Sequence, residues 1–172
     1  MTRLRMLAAL KACLFGAVIG VSGIAAADGP TMISQFSGKP VPRFETLRYS
    51  AVNGRAGPSR DHPILWRYER EGLPVLIIKE SRDWRRVRDP DGDEVWMHAR
   101  MLHPAPKAVV RHESSLLSKP EEGARETATV KPDVLVELER CDALWCEVDA
   151  GQRSGWILRA HLWGADASEA PL

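Results

Sequence analysis

The chain has 172 residues, with 24 Lys and Arg against 23 Asp and Glu, and a formal net charge of +1. That balance gives no basic field for nucleic acid, and 44% hydrophobic against 27% charged residues is too apolar for a disordered chain. The length admits one large domain or two small ones.

Residues 1–27 read as an export signal. Arg3, Arg5 and Lys11 make a positive start, an apolar run from Ala12 to Ala27 follows, and Ala25, Ala26 and Ala27 supply the small residues for cleavage after Ala27. As a helix, that run spans about 24 Å, short of the roughly 30 Å hydrocarbon core, so no stable membrane insertion is expected after cleavage. Cys13 is preceded by Lys11 and Ala12, a poor match to a lipidation signal. The mature chain, residues 28–172, keeps 21 basic and 23 acidic residues and is expected in the periplasm or outside the cell. In that oxidising setting a disulfide persists.

Residues 28–45 hold Pro, Gly and Ser with little periodicity and read as an extended lead-in. Beyond them a repeat with a period near 61 residues runs through most of positions 47–163. Trp84 and Trp145 are each followed three places on by a valine, Val87 or Val148, then by a turn, a second tryptophan (Trp96 or Trp156) and a leucine (Leu102 or Leu162). Val75 and Val136 stand nine residues ahead of the first tryptophans, and Pro58 and Pro120 stand at matching places further upstream. The repeat divides the chain into a first unit at 46–103, a linker at 104–107, a second unit at 108–164 and a tail at 165–172.

Each unit reads as strands. VLIIKE (75–80) and DVLVELE (133–139) are β-branched and apolar, WRRVRD and WCEVDA are short strands, and DPDGDE (89–94) and DAGQRSG (149–155) supply turn chemistry between hairpin partners. The prolines of HPAPK (103–107) favour a stiff, extended connection. Short strands at this spacing predict an all-β small barrel or sandwich.

Strand alternation then assigns faces. If Val87, Val148, Met97 and Ile157 are core, then Trp84, Trp145, Trp96 and Trp156 lie on the opposite face and form a candidate binding surface. The competing reading is that units this small bury every large ring they have. Arg86 and Arg88, in the basic cluster with Arg82 and Arg85, share the Trp84 face, where they would meet ligand carboxylates or the neighbouring Asp83, Asp89, Asp91 and Asp93. Cys146 shares parity with Val148 and points inward, and a hairpin would bring Cys141 to it, so a disulfide is preferred over free thiols or a zinc site. Paired cysteines leave no thiolate for His161 to activate, His98 and His103 read as surface residues, and GRAGPS lacks phosphate-loop spacing. Neither a catalytic residue, a metal site nor a cofactor is expected, and the chain is not read as an enzyme.

VNGRAGPSRDHP (52–63) and GLPVLIIKESRDWRRVRDPDGDEVWMHARML (72–102) resemble a bacterial SH3-like domain. Asn53, Arg55, Gly57, Pro58 and Ser59 match that family's opening motif, Gly54 and Ala56 depart from it, and Val95 replaces the glycine before Trp96. The second unit keeps Pro120 in SSLLSKPEE (114–122) and matches the closing motif better, in GQRSGWILRAHL (151–162) with Gly155 before Trp156. The resemblance implies two tandem small β-barrels acting as a binding module of the cell envelope, aimed at peptidoglycan or its peptides. It places Arg55, Trp66, Tyr68 and Trp84 around a groove in the first unit. Alternatives are an adaptor that binds a periplasmic protein, or an accessory or regulator of a cell-wall hydrolase.

Overall fold

The run Pro74–Ser81 forms the longest strand, and its first four residues are buried on both faces, because one side meets its own sheet and the other meets the second unit. The computed structural model describes residues 31–165; residues 1–30, with the expected export signal at 1–27, and residues 166–172, in the expected tail, lie outside the described residues. In chain order the strands are β1 (Met32–Ile33), β2 (Pro40–Val41), β3 (Arg43–Leu47), β4 (Val52–Arg55), β5 (Ile64–Tyr68), β6 (Pro74–Ser81), β7 (Trp84–Arg88), β8 (Glu94–His98) and β9 (Leu102–His103). The second unit follows with β10 (Lys107–Val110), β11 (Ser114–Leu117), β12 (Glu126–Val130), β13 (Leu135–Cys141), β14 (Trp145–Asp149), β15 (Ser154–Leu158) and β16 (Leu162–Trp163).

The all-β, two-unit reading is borne out. One antiparallel sheet has the order β5-β4-β8-β7-β6-β3-β9 and the other β12-β11-β15-β14-β13-β10-β16, which is the same topology element for element. A 3-10 turn precedes the last strand in both, Ala99–Met101 and Arg159–His161. The expectation of barrels needs correcting, since the outer strands β5 and β9, and likewise β12 and β16, are not paired with each other. Each is an open sheet curled round one core. In the first, Leu47, Val52, Val75, Ile77, Val87, Val95, Met97 and Leu102 form a single cluster fed by six strands, with Tyr68 of β5 packed against it.

The described part of the lead-in, residues 31–45, carries strands. β1 and β2 pair as a hairpin, and β3 already begins at Arg43. The hydroxyls of Ser34 and Ser37 donate to the Glu80 carboxylate, and Arg43 pairs with Glu45 and Glu80 at 3.0 and 2.7 Å, so polar anchors replace the missing apolar periodicity.

A third cluster joins the units. Leu76, Val109 and Trp163 are buried together with Phe44, Leu73, Ile78 and Leu135 around them. The Trp163 ring meets Phe44 edge to face at 5.2 Å, and its Nε1 donates to the carbonyl of Pro74 at 3.1 Å. Arg70 donates to the Asp133 carbonyl at 2.6 Å, and Arg111 approaches Asp91 at 3.6 Å. Gly164, at φ 113°, follows Trp163 where a Cβ would lie 2.6 Å from the Lys107 carbonyl, so only glycine lets the chain pass this junction.

Candidate functional site

The loop after β4 is closed by its own side chains. Arg55 Nη1 donates to the carbonyls of Arg60 and His62 at 2.9 and 2.7 Å, Ala56 N–H reaches Pro63 O at 3.0 Å, and Ser59 Oγ accepts from the Asp61 N–H at 3.1 Å. Gly57 lies under the His62 ring, where a Cβ would come within 2.4 Å, so a larger residue there would push that ring aside. The result is a firm wall beside the outer face of β4, β7 and β8.

Along that face cross-strand partners read Trp84 with His98, Arg86 with Trp96 and Arg88 with Glu94. The Glu94 end is paired, its one carboxylate taking both Arg86 at 2.6 Å and Arg88 at 2.7 Å. The Trp84 end is not. There a cleft of about 230 Å³ is lined by Ala51, Asn53, Arg55, Arg60, Trp84, His98, Arg100 and Met101, with no carboxylate among them. The Trp84 and His98 rings meet edge to face at 5.4 Å, and His98 Nδ1 accepts the Arg100 N–H at 3.2 Å, which leaves its Nε2 as the proton-bearing nitrogen.

Burial holds the His98 imidazole below its ordinary value, Arg100 pushes it down further, Asp83 opposes, and Arg60 and Arg85 add to the lowering. The folded chain therefore binds fewer protons than the unfolded one, and stability falls as the pH drops through the unfolded imidazole value of about 6.5. In an NMR titration the His98 ring is expected to titrate below an exposed histidine, and Arg100→Ala to move it upward. An unmoved midpoint in that variant would remove Arg100 from the account.

Of the residues singled out by sequence, Arg55 and Trp84 come together in this cleft. Trp66 does not line it and stands 52% exposed on the outer strand β5. Tyr68 is placed differently from the expected groove: it packs on the core, its hydroxyl donates to Asp89 at 2.8 Å, and it lines a crevice at the junction with Arg70, Leu73, Val109 and Asp133. Burial and then the Asp89 carboxylate push its phenol well above the ordinary range. Trp96 is half-buried beside Arg55 and Arg86, its cross-strand partners. The outward placement of Trp145 is corrected, since it is only 9% exposed; its cross-strand partner is the apolar Leu158 where Trp84 has His98. Trp156 is half-buried under the Arg140 guanidinium at 5.0 Å. Cys146 is fully buried and bonded to Cys141, its partner across β13 and β14, as the parity argument required.

Sequence reasoning missed Arg60 and Arg100 and read His98 as a plain surface residue. Asn53 was noted only as part of the motif. The second unit does not repeat the site. Leu117 faces Trp156 as Arg55 faces Trp96, Leu158 stands for His98, and Ala160 holds the turn position of Arg100.

Comparison with known proteins locates the fold. The profile described as bacterial SH3 domain matches over residues 48–104 and again over 110–164. Among solved structures, NlpC2 from Trichomonas vaginalis is similar at 13% identity and a TM-score of 0.33, covering 72% of this chain and 48% of that one. NlpC1 from the same organism is similar at 17% identity and a TM-score of 0.33, covering 78% of this chain and 51% of its own. This chain thus spans about half the length of those proteins. No curated protein matches it. The two matched segments make up more than half of the chain, and each holds six strands of one seven-stranded sheet, leaving out β3 in the first and all but Val110 of β10 in the second; the chain belongs to the bacterial SH3 domain family as a tandem pair.

Proposed function

We propose that the protein is an exported, non-enzymatic binding module of the cell envelope that recognises peptidoglycan through its peptides at the Trp84 cleft. One observation carries this reading. Arg55, Arg60 and Arg100 converge beside an aromatic ring with no carboxylate in the lining, whereas Arg86 and Arg88 on the neighbouring strand share the Glu94 carboxylate. Uncompensated guanidiniums around an indole suit an acidic peptide, by paired hydrogen bonds to carboxylate and by packing on the ring. A binding role draws support from the cysteines, whose sulfurs are bonded to each other and so offer no free thiolate. Two serines lie against histidines, Ser59 Oγ 3.0 Å from His62 Nδ1 and Ser114 Oγ 2.9 Å from His161 Nδ1, and the Ser114 hydroxyl, 6% exposed, donates instead to the His112 carbonyl at 2.7 Å.

Cosedimentation of the mature chain with protein-free sacculi at two salt concentrations tests this. Saturable binding is expected, weakened about tenfold or more in the Arg60→Ala, Arg100→Ala double variant, the loss that one or two charge-assisted hydrogen bonds predict. Undiminished binding in the double variant would remove the cleft from the reading. A second reading, an adaptor for a periplasmic protein, is favoured by the outer strand β5, whose free edge carries Ile64, Leu65 and Trp66, each about half exposed. Exposed apolar edges of that kind pair with other strands. Under it, sacculi stripped of protein bind nothing and Trp66→Ala weakens the partner complex.

A further inference from the structure

We infer that the cleft of the first unit takes the free C-terminal carboxylate of a peptide, and that the second unit has lost this site, so each chain binds one such terminus. The inference rests on the peptide-binding reading above and narrows it. Arg60 and Arg100 enter the cleft from two sides, the loop after β4 and the 3-10 turn after β8, and neither guanidinium has a hydrogen-bond or ion-pair partner among the described residues. Arg55 is tied by one nitrogen to the loop carbonyls and so is held in place as the third cation. Like charges gathered in this way repel one another, and an anion between them relieves that repulsion. His98 adds a donor and no negative charge, because its Nδ1 is already occupied by the Arg100 N–H.

Size selects an end over a passing chain. A cleft of about 230 Å³ is smaller than the roughly 300 Å³ at which ligand pockets usually begin, a size that suits one terminal residue. A terminal carboxylate offers two oxygens to two guanidiniums, and the last side chain lies against the Trp84 ring. Copy two offers none of this. Leu117, Leu158 and Ala160 replace Arg55, His98 and Arg100, and Glu147 stands across from Trp156 where Arg86 stands across from Trp96. An anion would meet apolar groups and a like charge there.

The test is calorimetry on the purified exported chain with N-acetylated tri-alanine, in L and D forms, each as free acid and as C-terminal amide, beside an amidated peptide carrying one internal glutamate. Sacculi are assayed in parallel. The expected result is one site per chain for a free acid, about tenfold or more weaker binding for the amide and the internal glutamate, and the same loss in Arg60→Ala, Arg100→Ala. On binding, the His98 ring resonance is expected to move, and Leu117→Ala to leave affinity unchanged. Equal affinity for acid and amide, two sites per chain, or no peptide binding while sacculi still bind would overturn the terminal-carboxylate inference alone. Loss of both peptide and sacculus binding would overturn the function reading with it.

Discussion

Trp163→Ala is expected to destabilise the chain by about 3–5 kcal/mol, the usual cost of emptying a buried aromatic site, and to split a single thermal transition into two. The ring is 9% exposed and sits between the units, with Phe44 at one edge and the Pro74 carbonyl on its nitrogen. Each unit keeps a complete cluster of its own without it, so the loss falls on the junction. Differential scanning calorimetry reads both effects, and at this size the lost free energy corresponds to a drop in Tm of roughly 10 °C. Trp163→Phe keeps most of the ring and loses the donor to Pro74, so a smaller fall of about 1–2 kcal/mol is expected. A single transition at the wild-type temperature in Trp163→Ala would show that the junction does not couple the units.

That residue was out of reach of the repeat, for a physical reason. Trp163 follows the last matched leucine and stands where the first unit has His103, so nothing in the period marks it. A residue that departs from its repeat by becoming apolar is itself the signal of an interface. The same holds for VLII at 75–78, which was legible as a strand, while its continuous apolar character already meant burial on both faces. What the spacing carried well was local: hairpin partners, the inward valines and the inward Cys146.

The site was legible only where alternation applies. Trp84 lies opposite Val87 as parity requires, but Trp145, with equal parity, is closed over because its neighbours across the strand are apolar. Tyr68 pairs with Val52, which is 1% exposed, and cross-strand partners share a face, so its ring had to join the core. That register depends on a bulge between Gly54 and Arg55 that no motif announces. Arg60 and Arg100 come from a loop and a 3-10 turn, where alternation says nothing. Glycine and proline in the loop showed that it was tight, and only folding showed which side chains it aims inward.

The second large effect is expected at Glu80, whose side chain is 1% exposed and holds Arg43 at 2.7 Å, Arg85 at 3.1 Å and the hydroxyls of Ser34 and Ser37. Glu80→Ala should cost about 3–5 kcal/mol, because removing one partner of a buried pair strands the other. Arg43 still has Glu45, but Arg85, 9% exposed at its side chain, keeps only the carbonyls of Arg82 and Trp84. The hairpin of β1 and β2 keeps Lys39 on Glu45 at 3.0 Å but loses both serine contacts, so limited proteolysis should cut faster in its turn while the sheets stay intact. Ser34→Ala with Ser37→Ala frees the same hairpin and strands no charge, so its cost should stay near 1–2 kcal/mol. The carboxyl also sets an acid limit. Burial raises its affinity for the proton, yet the hydrogen bonds from Ser34, Ser37 and Arg43 and the charge of Arg85 outweigh that and hold it below the ordinary glutamate value. A depressed carboxyl stabilises the fold above the unfolded value of about 4.3 and loses that contribution as the pH falls through the folded value. Denaturation measured from pH 7 to pH 2 should therefore show a steeper acid decline in the wild type than in Glu80→Gln, and identical slopes would mean that the ion pairs do not hold this end of the sheet.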